Sequence, residues 1–355
     1  MTIANAFYDA RMGSRNARDR ENRRARLGLA VLLLVACNRR DPDAGRTEPP
    51  SDPTERCDPA ESRVCVGNDV VKCDDGLLGR RLRSCHDGCK HGVCVAVCAD
   101  GAELIYVVDS DNNLRSFDPR KLPGDPFQLV GPLACGPDAG SPFSMAVDRG
   151  GIAWVLYDDG ELFKVSIADA KCERSRYVAG SSGSRTFGMG FVSDEPGGKT
   201  ERLFIAANDG SHALASIDTD QALPAARSIG TLEATRRQNA ELTGTSEAKL
   251  FGFFPVPDEP SFVQEIDRKS GAARGPRWDL GTSSLGRVSA YAFAHWGGVF
   301  YIFVTADGST VRTVNRTTGE YKTILEGLPF RITGAGVSTC APELDRAATS
   351  GSQGP

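Results

Sequence analysis

A strand, a tight turn and a second strand recur five times between Ala99 and Pro342, and few architectures accept such a repeat. Each copy opens on a β-rich apolar run: Leu104–Val108, Ile152–Leu156, Leu203–Ala207, Leu250–Phe254 and Val299–Phe303. A turn follows, at Asp111-Asn112, Asp159-Gly160, Asp209-Gly210, Pro257-Asp258 and Asp307-Gly308. Asp-Gly suits a two-residue hairpin because glycine tolerates the positive φ that such a turn demands. The second strand ends on a small polar residue able to bond its own backbone two residues on: Asp118, Ser166, Asp218, Asp267 and Asn315. These positions are separated by 48, 52, 49 and 48 residues. Asp109, Asp111 and Asn113 could be mistaken for a calcium loop. The turn explains all five copies, however, and the glycine and terminal glutamate of an EF-hand are missing.

Four of the five copies have a strand of small residues ahead of them: Phe143–Val147, Phe187–Phe191, a weaker version around Leu242–Thr245, and Tyr291–His295. The fifth such strand, Thr333–Val337, comes after the last copy. Short strands at a period near 49, with the smallest side chains where strands would crowd an axis, predict an all-β fold, a five-bladed β-propeller. Six blades would need a degenerate unit that the sequence does not contain. The first unit lacks its own inner strand, so Thr333–Val337 is expected to fill that place and close the ring, removing exposed sheet edges.

The units resemble those of secreted propellers that carry a strand, a turn and an L-x-x-I-D-x-x-T-G pattern. Ile266-Asp267-Arg-Lys-Ser-Gly271 and Val314-Asn315-Arg-Thr-Thr-Gly319 are the nearest copies. This likeness covers about two-thirds of the chain and speaks of fold, not chemistry.

Of eleven cysteines, ten follow residue 56, an even number that predicts five disulfides in an exported protein. Cys340 ends the ring-closing strand and Cys98 precedes the strand it would join, so the two are expected to pair as a clasp. Cys135 and Cys172 are then paired by elimination. The other six, Cys57, Cys65, Cys73, Cys85, Cys89 and Cys94, crowd into a segment too short to hold itself together by apolar burial. Six cysteines allow 15 pairings, and the spacing selects none. Val64-Cys65-Val66 and Val70–Cys73 flank Gly67-Asn68-Asp69 and predict a hairpin. His86 and His91 lie among these cysteines, yet the spacing matches no paired C-x2-C set, so no metal is expected.

The N-terminus has a different character. Seven Arg (11, 15, 18, 20, 23, 24 and 26) precede an apolar run from Leu27 to Ala36, too short to span a bilayer but suited to a signal peptide. Met12 offers a second possible start. Leu34-Val35-Ala36-Cys37 resembles the lipobox of bacterial lipoproteins. That resemblance implies cleavage after residue 36 and acylation of Cys37. In the Gram-negative pattern, Asn38 rather than Asp implies retention at the outer membrane, in a leaflet the sequence leaves open. Several acyl chains on one residue give stable anchoring. Residues 38–56, NRRDPDAGRTEPPSDPTER, read as a solvated tether. The expected organisation is therefore a signal peptide (1–36), a lipidated tether (37–56), a disulfide-rich module (57–97), the propeller (98–342) and a disordered tail (343–355). The arrangement resembles β-propeller lipoproteins of Gram-negative bacteria, a family that implies no particular activity.

Setting aside residues 1–36, with seven Arg and three acids, leaves 35 basic and 43 acidic groups, a net charge of −8. This argues against broad nucleic-acid binding. There is no G-x-S-x-G, H-E-x-x-H, P-loop or G-x-G-x-x-G following a strand, and no cofactor is expected. Only four histidines occur: His86, His91, His212 and His295, the last beside Trp296 at an inner-strand end. Packing accounts for His295 more simply than catalysis. Carboxylates on or near inner strands are Asp148, Asp194, Glu241 and Glu247, without a spacing that marks a pair. The connections leading into inner strands carry Arg185, Arg236, Arg237, Arg287 and Arg331. Guanidinium groups around a channel mouth would bind carboxylate or phosphate in bidentate fashion. The expected function is a binding or interaction module for an envelope or extracellular glycan or protein, with anionic ligands favoured. A carbohydrate-active enzyme using channel carboxylates and a structural envelope protein are the alternatives.

Overall fold

The computed structural model describes residues 56–343 apart from 86, 87, 96, 137, 138, 234–239, 282–284, 286, 287 and 307. The leader, Cys37, nearly all of the tether, His86, Arg236, Arg237, Arg287 and residues 344–355 lie outside the described residues.

The chain first forms a small module. Strands β1 (Arg63–Val66), β2 (Asp69–Asp74) and β3 (Leu77–Ser84) make an antiparallel sheet, and β4 (Cys89–Lys90) pairs with β5 (Val93–Cys94). Val66 faces Asp69 across a two-residue turn in which Gly67 has φ 59°. Disulfides join Cys57 to Cys73, Cys65 to Cys89 and Cys85 to Cys94.

The rest is all-β. The first unit supplies β6 (Ile105–Asp109), β7 (Asn113–Phe117) and β8 (Phe127–Pro132). The second is β9 (Pro142–Val147), β10 (Ile152–Tyr157), β11 (Leu162–Ser166) and β12 (Cys172–Arg174). The third is β13 (Phe187–Ser193), β14 (Glu201–Ala207), β15 (Ala213–Ile217) and β16 (Ala226–Thr231). The fourth is β17 (Glu241–Gly244), β18 (Leu250–Phe254), β19 (Phe262–Ile266) and β20 (Ala273–Asp279). The fifth is β21 (Ala290–Trp296), β22 (Val299–Thr305), β23 (Ser309–Asn315) and β24 (Tyr321–Leu328), and β25 (Ile332–Val337) follows. Among the described residues these strands form five four-stranded antiparallel sheets, an arrangement compatible with a β-propeller. The sheet of the first unit has the order β25-β6-β7-β8, so the last strand among the described residues completes the first sheet.

Turn chemistry explains the hairpins. Asp109, fully buried, accepts the backbone N–H groups of Asp111 and Asn113 at 3.0 and 2.9 Å and bonds Arg115 Nε at 3.0 Å. Asn112 and Gly160 supply the positive φ their turns need. The first strand of each pair is apolar on both faces because both faces are covered. In β6, Ile105 and Val107 pack toward the fifth sheet, while Tyr106 and Val108 pack toward the second. Similar apolar cores lie between the second and third, third and fourth, and fourth and fifth sheets.

The inner strands contact one another in the cycle β25, β9, β13, β17, β21 and back to β25. Small residues are required there. A Cβ on Gly188 would lie 2.1 Å from the Ala240 carbonyl oxygen, and one on Gly244 would lie 2.1 Å from that of Phe191. Gly188 beside Ala240 and Gly190 beside Thr243 also mean that β13 and β17 run in the same direction. Gly334 beside Ser144 and Gly336 beside Ala146 give the same result for β25 and β9.

Cys98 bonds Cys340 across 242 residues, and Cys135 bonds Cys172, linking the first and second sheets. In the chain-entropy view, closing so long a loop removes about 4–5 kcal/mol of unfolded-state freedom. Ser338 Oγ adds a 2.7 Å hydrogen bond to the Ala102 carbonyl beside the clasp.

Candidate functional site at the trailing end of the inner strands

Where the inner strands end, the segments that follow them converge. A cavity of about 480 Å³ opens there, lined by Arg149, Ser246, Thr339, Glu343, the Gly197-Gly198 turn and the Cys98–Cys340 disulfide. These groups follow β9, β13, β17 and β25, so four sheets contribute to one mouth.

Arg149 is 8% exposed. Its Nη1 donates to Thr339 Oγ1 at 2.9 Å and its Nη2 reaches Cys98 Sγ at 3.4 Å. Behind it stands Glu201, the first residue of β14. One carboxyl oxygen accepts the Arg149 backbone N–H at 2.6 Å, and the other accepts the Thr339 hydroxyl at 2.7 Å. Burial, reinforced by the Asp148 carboxylate, pushes Glu201 up to about 8. Asp148 is raised by burial as well, against the pull of hydrogen bonds from Trp154 Nε1 at 3.0 Å and Ile152 N at 2.9 Å.

The other side of the mouth is built on Glu343. Its Oε1 accepts from Ser246 N at 2.7 Å and Ser246 Oγ at 2.6 Å. Its Oε2 is buried without a hydrogen bond, 3.6 Å from Arg316 Nη1 and 4.0 Å from His295 Nδ1. Burial raises Glu343. Arg316 also pairs with Glu247 at 2.7 Å and holds that carboxylate low. His295, 2% exposed, is driven by burial down to about 3 and is neutral; its Nε2 has no hydrogen bond. Among the described residues no group of three His, Cys, Asp or Glu side chains is placed to hold a metal.

The residues singled out by sequence separate into two places. Asp148, Asp194 and Glu247 lie at the trailing end, following β9, β13 and β17. Asp194 turns to Arg202 at 3.5 Å. Glu241 instead begins β17 at the leading end and is 4% exposed. It accepts from Ser144 Oγ at 3.0 Å and from the Met189 backbone, and burial holds its pKa well above the usual range. It is a strut between β9, β13 and β17. Arg185 and Arg331 are also at the leading end, exposed, in connections that lead into non-adjacent sheets; Arg331 Nη2 bonds Ser289 Oγ at 2.8 Å. Arg236, Arg237 and Arg287 lie outside the described residues. His91 is exposed in the module, and His212 sits in the β14–β15 turn with a buried Nδ1 that has no hydrogen bond.

Sequence reasoning passed over Arg149, Glu201, Thr339 and Glu343. Thr339 beside the clasp cysteine was the available signal. Glu201, in a charged Lys-Thr-Glu-Arg run, carried none. Glu343 opens the expected tail, yet is anchored by Ser246.

The all-β fold of four-stranded sheets and the disulfide-rich N-terminal module define the class of protein. No protein-family model and no curated protein sequence matches the chain. Similar solved structures include a chain of a nidogen/laminin complex (TM-score 0.43, 8% identity, 66% of this chain and 97% of that one). A luciferin-regenerating enzyme (0.39, 12%, 71% and 81%) and a thermostable family-43 glycoside hydrolase (0.36, 10%, 55% and 76%) are others. Likeness at these values carries no argument about activity.

Proposed function

We propose that the chain is a five-bladed propeller lipoprotein, held at the outer membrane through acylated Cys37, that works as a binding module for an envelope or extracellular glycan. The observation that carries this reading is the mouth cavity, in which hydrogen-bond donors and acceptors from four sheets line about 480 Å³. Polyhydroxylated ligands need that mixture. Propellers also present many loops on a rigid frame, which suits recognition. Arg185 and Arg331 at the opposite end remain a second place for anionic ligands.

The test is a glycan screen of the purified full chain in detergent, read by bound mass and by released product. Saturable binding that weakens in Glu343→Gln supports the reading. Binding unchanged by that substitution removes the mouth from it. A second reading, a carbohydrate-active enzyme, draws on one observation: Glu201 is raised to about 8 beside Asp148. A carboxyl that keeps its proton near neutral pH suits a general acid, although burial raises Asp148 as well. Both oxygens of Glu201 are engaged in hydrogen bonds, so binding without turnover is favoured. Released product would reverse that preference, and silence in both readouts would favour a structural envelope protein.

A further inference from the structure

A second cavity, about 520 Å³, lies between the third and fourth sheets. Its lining includes Arg202 and Phe204 from β14, Ser216 from β15, Ser228 from β16, and Arg268 and Lys269 from the turn between β19 and β20, with Asp194 at one side. We propose that this groove binds a saccharide bearing a carboxylate, an acidic sugar of the uronic type. The inference rests on the glycan-binding reading but uses a separate site.

The Arg-Lys turn is rigid. Asp267 Oδ1 accepts the backbone N–H groups of Lys269 and Ser270 at 2.7 and 3.0 Å, and its carbonyl accepts Gly271 N at 2.7 Å. The same carboxylate is ion-paired with Arg274, so it does not neutralise the two cations it positions. Arg268 is held by backbone carbonyls: Nη1 donates to Ser193 O at 2.7 Å and Nη2 to Asp194 O at 2.6 Å. Lys269 makes no ion pair among the described residues. Arg202 reaches one carboxylate among the described residues, Asp194, at the long distance of 3.5 Å. The groove therefore gathers three cations around one acid, on a chain whose total charge is negative. Such a local reversal of sign attracts anions.

The remaining lining selects among anions. Ser216 and Ser228 offer hydroxyls, Asp194 offers an acceptor, and Phe204 and Ile229 give an apolar wall. A compact phosphate would use the cations alone. A carboxylated sugar would use all of it: the carboxylate on Arg202 and Lys269, ring hydroxyls on the serines and Asp194, and the C–H face against Phe204 and Ile229. Carboxylate with guanidinium or ammonium is the strong contact, and it is screened by salt.

The experiment titrates the full chain in detergent with trigalacturonate and, separately, with neutral galactotriose. Saturable binding of trigalacturonate that weakens at high salt, and falls by about tenfold in Lys269→Glu, is the expected result. Lys171→Glu, the same change of charge at an exposed lysine that lines neither cavity, should leave trigalacturonate affinity unchanged. No binding of trigalacturonate, or a trigalacturonate affinity indifferent to salt and to both Lys269→Glu and Lys269→Gln, overturns the proposal. A loss of galactotriose binding in Glu343→Gln alone concerns the mouth and not this groove, so failure at one site is distinguishable from failure at the other.

Discussion

The module and the ring of sheets solve the same problem by different means. Among the described residues of 57–97, Val70, Val71, Cys73, Cys85 and Val93 are the only buried apolar side chains, and three disulfides tie the segment together. The sheets bury an apolar core at each junction, with Phe251, Phe253, Phe293, Phe300 and Phe303 among the fully buried rings. Surface-to-volume scaling accounts for the contrast, because a short segment cannot remove enough apolar area from water and covalent links must constrain its unfolded state. The two regions meet through charge. Arg63, Arg83 and Lys90 of the module pair with Asp218, Asp220 and Glu195 in the loops of the third unit, and Cys94 N donates to Asp220 at 3.1 Å. In these pairs the module contributes the basic member and the third unit the acidic one.

This contrast can be broken most severely with a reductant. Loss of a native disulfide from a small exported domain costs about 2–5 kcal/mol, and the module has three. Reduction of the full chain should therefore abolish ordered module resonances in an NMR spectrum while the ring retains its strand signature in circular dichroism. Simultaneous loss of both would mean that the ring depends on its clasp more than on its cores. Phe251→Ala attacks the other region. Phe251 packs on Phe300 and Trp278 at centroid distances of 5.0 and 6.1 Å, and its truncation should cost about 3–5 kcal/mol in denaturant unfolding with the module's disulfides intact.

A smaller effect follows from pH. Glu201 is raised to about 8 in the folded chain, above the 4.5 of an exposed glutamate. Between those values the folded state holds a proton that the unfolded state has released, so this group's contribution makes stability fall as pH rises from about 4.5 to about 8. Glu201→Gln should flatten that slope in unfolding measured at several pH values; an unaltered slope would place the titration elsewhere. The smallest effect belongs to the junction between the regions. Arg83 is half exposed, and exposed ion pairs contribute about 0.2–1 kcal/mol. Arg83→Ala should loosen the module's contact in hydrogen exchange by that order, more visibly at low salt, without changing the unfolding of the ring.

How much of this was readable before the fold was known depended on how local the cause was. The strands are local: the run Ile152–Leu156 lies within β10, and the small residues of Phe187–Phe191 lie in β13. The bond between Cys98 and Cys340 could be reasoned because the repeat itself shows one unit short of a strand and one strand left over. The three module disulfides could not, since all 15 pairings suit the same spacing. The mouth was harder still. Asp148 is visible in the sequence, but its neighbour Glu201 gains its raised pKa from burial and from the Asp148 carboxylate, which act on it only once segments far apart in sequence have packed together. The Arg-Lys turn at 268–269 belongs to a repeat motif, and nothing in the motif tells that its cations line one groove with Arg202.

By itself, the sequence determined the repeat, its turns, the small residues of the inner strands and the surplus strand that closes the first sheet, because each depends on side-chain size, alternation or turn geometry within a few residues. Only the tertiary structure decided which cysteines of the module meet, which carboxyls are buried at the mouth, and where cations gather between the third and fourth sheets. Those outcomes depend on distances and solvent exclusion between segments far apart along the chain, and neither quantity exists until the sheets have packed.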